Sequence, residues 1–136
     1  VDGVQYHTTE QYMMASKARL FGDDEVLKEI MEAPTPSDYK NLGRKIRGFV
    51  ANVWDANKYD IVVKGNKAKF SQNPAKKEFL LSTGDSIIGE ASPYDTIWGI
   101  GLGREDAQKG GVEQWKGENL LSCALMDMRD WLKECL

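Results

Sequence analysis

Residues 8–21 read TTEQYMMASKARLF, and they settle whether the chain begins its core with a helix or a strand. Neither Gly nor Pro interrupts them, and Thr8 stands three residues before Gln11, the spacing of a capping box. The stretch predicts an α-helix. On it Glu10 and Lys17 share one face, separated by a rise of roughly 10 Å, too far for an ordinary ion pair. Their helical neighbours are Met13, Met14, Leu20 and Phe21, so neither meets an opposite charge locally. Either they edge a core, with Lys17 snorkelling and Glu10 bonding a backbone amide, or both face a ligand cleft.

Helix signals continue downstream. Asp24 and Glu25 open a second helix that runs to about Ala33, and Pro34 closes it. Thr35 caps a third, with Pro36 in its first position and Gly43 at its end. A longer helix is expected over 53–70, where Trp54, Ile61, Gly65 and Ala68 recur at helical spacing. Asn73-Pro74 starts another, which stops at Thr83-Gly84. The last follows Asn119, with an apolar stripe of Leu121, Ala124, Leu125, Met128, Trp131, Leu132 and Cys135. Val1 to Tyr6 reads as a short strand or extended lead-in, and Ser86–Ala91 (SIIGEA) is the best strand candidate. Gly99, Gly101, Gly103, Gly110 and Gly111 mark a loop region. The expectation is a mainly α fold (α+β with minor β): one compact multihelical domain over 1–136, with a short strand pair and a Gly-rich loop.

Composition narrows the functional classes. With 136 residues, 41% hydrophobic and 29% charged, the chain suits one globular domain with a sizeable core. A net charge of −3 gives no general attraction to nucleic acid or anionic membrane, so such a partner must meet a local basic patch. No run of eighteen apolar residues occurs, and Val1-Asp2-Gly3 opens no signal peptide, so no membrane association is expected. Cys123 and Cys135 fall twelve residues apart on one expected helix, roughly 18 Å along its axis. A disulfide needs α-carbons within about 7 Å, so free thiols and a reducing cytoplasm or nucleus are expected.

Several chemistries fail on residue supply. His7 is the single histidine, which leaves no plausible zinc set and no Ser-His-Asp triad outside His7. GIGLGRED has Arg104 where a dinucleotide fingerprint needs its third glycine, and no phosphate-binding P-loop exists. No metal or cofactor is expected. Carboxylates with aromatic and basic support remain. Asp95 follows a Pro-containing turn and precedes Trp98, so it either caps that turn or supplies an acid or base to a stacked ligand. Trp98 sits in a loop, where core packing is less automatic, and Trp54 near a helix start is core or pocket wall. Lys40, Arg44, Lys45 and Arg47 place four cations within eight residues, suited to phosphate or simply solvated.

The ordered blocks TTEQYMMASKARLF, TPSDYKNLGR, AKFSQNP, LLSTGD, EASPYDTIWGIGL and WKGENLL closely resemble the NADAR (YbiA-like) family, over essentially the whole chain. Two departures stand out. Family members usually carry an N-terminal strand with a Ser-Asn-Phe-type motif ahead of Asp2-Gly3, which this chain starts too late to include. Asn119-Leu120-Leu121-Ser122 stands where N-L-L-G is common. The resemblance implies an N-glycosidase, since members cleave riboflavin-pathway intermediates or remove ADP-ribose from guanine. It carries catalytic roles onto Glu10, Asp95 and Lys17, and ligand binding onto Trp54, Trp98, Gly99, Arg44 and Asn119. Glu10 would act on water and the ribosyl cation, and Asp95 would hold ribose hydroxyls or assist the departing base. Lys17 would hold a phosphate or hydroxyl, with a Schiff base as the minor option. The expected ligand is an ADP-ribose-containing small molecule or ADP-ribosylated guanine in DNA. A phosphorylated riboflavin intermediate, or ADP-ribose bound without cleavage, are the alternatives; a helical adaptor would leave Glu10, Lys17 and the Trp98 loop unexplained.

Overall fold

The computed structural model describes residue 1 and residues 3–134. The chain divides into two units, Val1–Gln72 and the residues from Asn73 onward.

In the first unit α1 (Thr9–Leu20) packs on α2 (Asp24–Glu32), α3 (Pro36–Gly43) and α4 (Ala51–Gln72). Thr8 caps α1, its hydroxyl accepting from the Gln11 backbone at 3.0 Å. The fully buried Gln11 side chain accepts from His7 N at 2.7 Å and donates to the Ile30 carbonyl at 3.3 Å. One amide thereby ties the start of α1 to the end of α2 and satisfies the buried Ile30 carbonyl. Around it Met14, Ala15, Ala18, Val26, Ile30, Tyr39 and Ile46 form the core. Burying a side chain such as Ile30 is worth about 1.5–3 kcal/mol. Gly65 lets α4 approach closely: a Cβ there would stand 2.6 Å from the Tyr12 ring.

The buried positions of α4 are Trp54, Val62, Gly65 and Asn66, while Ile61 and Ala68 are only half-buried. The inward face follows the i, i+4 row from Trp54, which reaches Val62 rather than Ile61. Val1 to Tyr6 opens with a turn, the Val4 amide donating to the Val1 carbonyl at 3.0 Å and Gly3 at φ +80°.

In the second unit α5 (Pro74–Ser82) packs against α7 (Leu120–Glu134). Ser122, Ala124, Met128, Arg129 and Leu132 are the buried residues of α7, and Leu80 that of α5. Arg129 donates to the Thr83 hydroxyl and the Ser86 carbonyl, both at 2.8 Å, and Lys133 donates to the Gly84 carbonyl at 2.9 Å. Two cations one turn apart on α7 thus satisfy the turn that ends α5, and Lys133 holds the Asp85 carboxyl below its usual range. Cys123 is a free, half-buried thiol; Cys135 lies outside the described residues.

The expected strand pair, and with it the α+β assignment, is overturned. The fold is all-helical, with no strand among the described residues. Ser86–Ala91 fails to form a ladder because its polar groups are taken individually. Asn119 Nδ2 donates to the Ile88 carbonyl at 2.8 Å, Asn119 Oδ1 accepts from Glu90 N at 3.0 Å, and Ile100 N donates to the Glu90 carbonyl at 2.9 Å. Side chains therefore stand where a strand partner would run. The Gly-rich region is also not all loop: it holds α6 (Arg104–Lys109) and a 3₁₀ turn, Val112–Gln114.

Candidate active site

Glu10 and Lys17 on α1 both find partners elsewhere in the first unit. Glu10 Oε1 lies 3.4 Å from Lys40 Nζ on α3. Lys17 Nζ sits 4.7 Å from the ring centroid of Phe49 and 5.4 Å from that of Trp54. No carboxylate among the described residues lies within ion-pair distance of Lys17. Burial lowers its pKa, because the ammonium loses water and gains no counter-charge. A lysine so placed is readied to donate hydrogen bonds into a half-dry space, or to act as an amine.

The four cations of residues 40–47 do not act as one patch. Arg47 closes on Asp23, with Nη2 to Oδ1 at 2.9 Å and Nε to Oδ2 at 3.2 Å, and also reaches Glu25 at 3.2 Å. Asp23 is buried, caps α2 and also accepts from Arg47 N at 2.9 Å. That set of donors holds its carboxyl far below the usual range, and the Asp23 carboxylate, with Glu25, in turn raises the Arg47 guanidinium. Arg47 is structural. Arg44, the C-cap of α3, and Lys45 are exposed, and Lys40 reaches Glu10.

Asp95, Trp98, Gly99 and Asn119 come together in the second unit. Asp95 Oδ1 accepts from Ile97 N at 3.0 Å and Trp98 N at 2.8 Å, a turn built on one carboxylate oxygen. The segment is then stitched to the residues before α7: Glu118 N donates to the Thr96 carbonyl at 2.7 Å, Asn119 N to Gly99 at 3.0 Å, and Leu121 N to Trp98 at 3.2 Å. Gly99 is buried, and a Cβ there would stand 2.8 Å from the Asp95 carbonyl. Asn119 is buried at φ +55°, a left-handed conformation Asn tolerates, with both ends of its amide spent on Ile88 and Glu90. Trp98 is half-buried in this frame.

Two residues near the first-unit charges escape sequence reasoning. Phe49 covers Lys17, and Lys40 belongs to Glu10 as well as to a cationic stretch. The signal for Phe49 was present: it is an aromatic outside any helix, after Gly48, the same pattern that singles out Trp98.

The NADAR domain matches residues 1–133. N-glycosidase R617 of Acanthamoeba polyphaga mimivirus is 49% identical over 126 residues, covering 93% of this chain and 74% of that protein. The chloroplastic riboflavin biosynthesis protein PYRR of Zea mays is 32% identical over 137 residues, which take in 94% of this chain and 20% of that protein. The NMR structure of the Escherichia coli protein YbiA is similar with a TM-score of 0.79 at 28% identity, over 98% of this chain and 71% of that one. The chain belongs to the NADAR family.

Proposed function

We propose that this NADAR-family hydrolase, an N-glycosidase, removes ADP-ribose from guanine, in a nucleotide or within DNA. The observation that supports the reading is the Lys40–Glu10 contact, which ties the cationic end of α3 to the candidate catalytic carboxylate. Arg44 is exposed four residues on from Lys40 at the end of α3, so Lys40 and Arg44 offer a pyrophosphate more than one cation, whereas Lys45 lines a separate groove with Glu29, Glu32 and Asp38.

Hydrolysis breaks the bond between ribose C1′ and the base nitrogen through an oxocarbenium-like state. Glu10 orients the attacking water, takes its proton and steadies the developing cation, so that the water oxygen ends on C1′. The departing nitrogen gains a proton; for Asp95, in the second unit, the family resemblance implies a hold on ribose hydroxyls or help to that departure. Lys17 donates to a hydroxyl or phosphate oxygen. Trp54 walls the base and ribose, and Arg44 meets phosphate. Because the chain is acidic overall, recognition centres on the modified nucleotide rather than on DNA at large. The setting that suits this substrate is the cytoplasm, or the nucleus.

The similarity to PYRR favours a second substrate, a phosphorylated riboflavin-pathway intermediate. The two are separated by comparing hydrolysis of ADP-ribosylated guanine and of that intermediate by wild type and Arg44→Ala. The first should be cleaved faster and lose about tenfold or more on mutation, the scale of one charge-assisted contact. Faster cleavage of the monophosphate, with no effect at Arg44, would transfer the chain to the riboflavin substrate.

A further inference from the structure

Phe49 is an aromatic side chain held in place but left open. Before it, Arg47 is locked to Asp23 through its backbone amide and its guanidinium. Gly48 then takes φ +76°, a conformation side-chain-bearing residues rarely adopt, and turns the chain close to the Phe21 carbonyl. After it, the Val50 carbonyl accepts from Trp54 N at 3.1 Å as α4 begins. The ring itself meets Phe21 edge-on, centroids 5.2 Å apart, and has Lys17 Nζ over it. Yet 45% of Phe49 stays exposed, and so do Val50 and Val53 beside it.

Covering Lys17 accounts for only part of that ring. An aliphatic side chain would shield the lysine stem equally well, without a cation-facing π system. A ring drawn upon by a cation is electron-poor, and such a ring stacks well on an electron-rich planar partner. A purine base is such a partner, and the ammonium beside it supplies a donor for the sugar or phosphate that the base carries. We propose that Phe49 is the stacking wall of the substrate pocket, its exposed part receiving the nucleobase whose glycosidic bond is cut. The assignment rests on the N-glycosidase reading and adds a specificity-determining residue to it. Anchored by Asp23–Arg47, the ring is placed before the ligand arrives, so binding spends little entropy on ordering it.

The experiment measures KM and kcat for wild type, Phe49→Ala, Phe49→Leu and Phe49→Trp, on ADP-ribosylated guanine and on the riboflavin-pathway intermediate. Both Ala and Leu should raise KM about tenfold with kcat nearly kept, and Trp should restore it, as expected for loss and return of base stacking. Thermal midpoints should match wild type, because the residue is half-exposed in a loop. A Leu variant with wild-type KM would overturn the proposal, since apolar cover alone would then suffice. So would an Ala variant that lowers kcat at unchanged KM. If wild type cleaves only the riboflavin intermediate, the substrate proposed above fails, while the KM series on that intermediate still decides the role of Phe49.

Discussion

Lys17 and Trp54 meet with the ammonium 5.4 Å from the ring centroid, joining the third turn of α1 to the first turn of α4. Trp54 is buried, so it serves as core and as wall of the lysine's surroundings at once. The ring attracts the ammonium by about 0.5–2 kcal/mol, which favours the charged form. Lost hydration works the other way and lowers the Lys17 pKa. A half-buried lysine with two rings and no carboxylate partner among the described residues costs some stability, and structural ion pairing does not account for it.

Replacing Lys17 by Met tests that cost directly. In the folded chain the pKa lies below 10.5, so the unfolded state holds the proton more tightly. Stability due to this group therefore rises with pH between the lowered value and 10.5, and the cost is fully present at pH 7. Lys17→Met keeps an unbranched stem without the charge. Its thermal midpoint at pH 7 should equal or exceed wild type, with the difference shrinking toward pH 10.5, while cleavage falls at least ~10²-fold. A clear drop in midpoint at pH 7 would make the ammonium structural.

Glu10→Gln keeps an acceptor for Lys40 but cannot take a proton from water. Cleavage should fall at least ~10²-fold while ligand affinity changes less than about threefold, the pattern of an interaction made in the transition state. Stability should hardly move, because Lys40 is 61% exposed and an exposed pair contributes ~0–1 kcal/mol. Near-normal turnover would leave Glu10 as the partner of Lys40 and nothing more.

Local signals carried the helices well. Thr8, Thr35 and Asn73 stand at N-caps, and Pro36 and Pro74 in first turns, because caps and prolines act within a few residues of themselves. The strand expected at 86–91 does not form: a short β-branched run reports extended backbone, not what pairs with it. Its partners, Asn119 and Arg129, lie some thirty to forty residues on and use side chains. The site shows the same divide. Glu10 and Lys17 were visible on one helix face, whereas the commitment of Arg47 to Asp23, 24 residues away, is a tertiary fact that no charge count reveals.

Asp95 builds a turn, and substitutions separate that duty from the catalytic role proposed for it. Asp95→Asn keeps Oδ1 as acceptor for Ile97 N and Trp98 N, so the turn should persist and the thermal midpoint should stay near wild type. Cleavage should still fall by about tenfold or more, since the amide cannot share a proton or carry charge to a ribose hydroxyl. Asp95→Ala loses the turn as well, and should lower the midpoint by several degrees. Wild-type activity in the Asn variant would confine Asp95 to its turn.

Asp23 ties the site to acid stability. Its folded pKa lies far below the ordinary 3.8, so the stability it contributes is fully present above that value and lost as pH falls toward the folded one. Asp23→Asn retains an acceptor for Val26 N but turns an NH₂ group toward the donors of Arg47. The buried end of the contact is then left with clashing donors, and the thermal midpoint at pH 7 should fall by several degrees. Followed from pH 7 to pH 2, the gap between wild type and variant should stay level to about pH 4, near the unfolded value, and narrow below it. Because Arg47 also anchors the turn that presents Phe49, the same variant should raise KM more than it lowers kcat. A gap that stays constant down to pH 2 would show that the carboxylate's charge contributes nothing, leaving the cap on α2 as the sole role of Asp23.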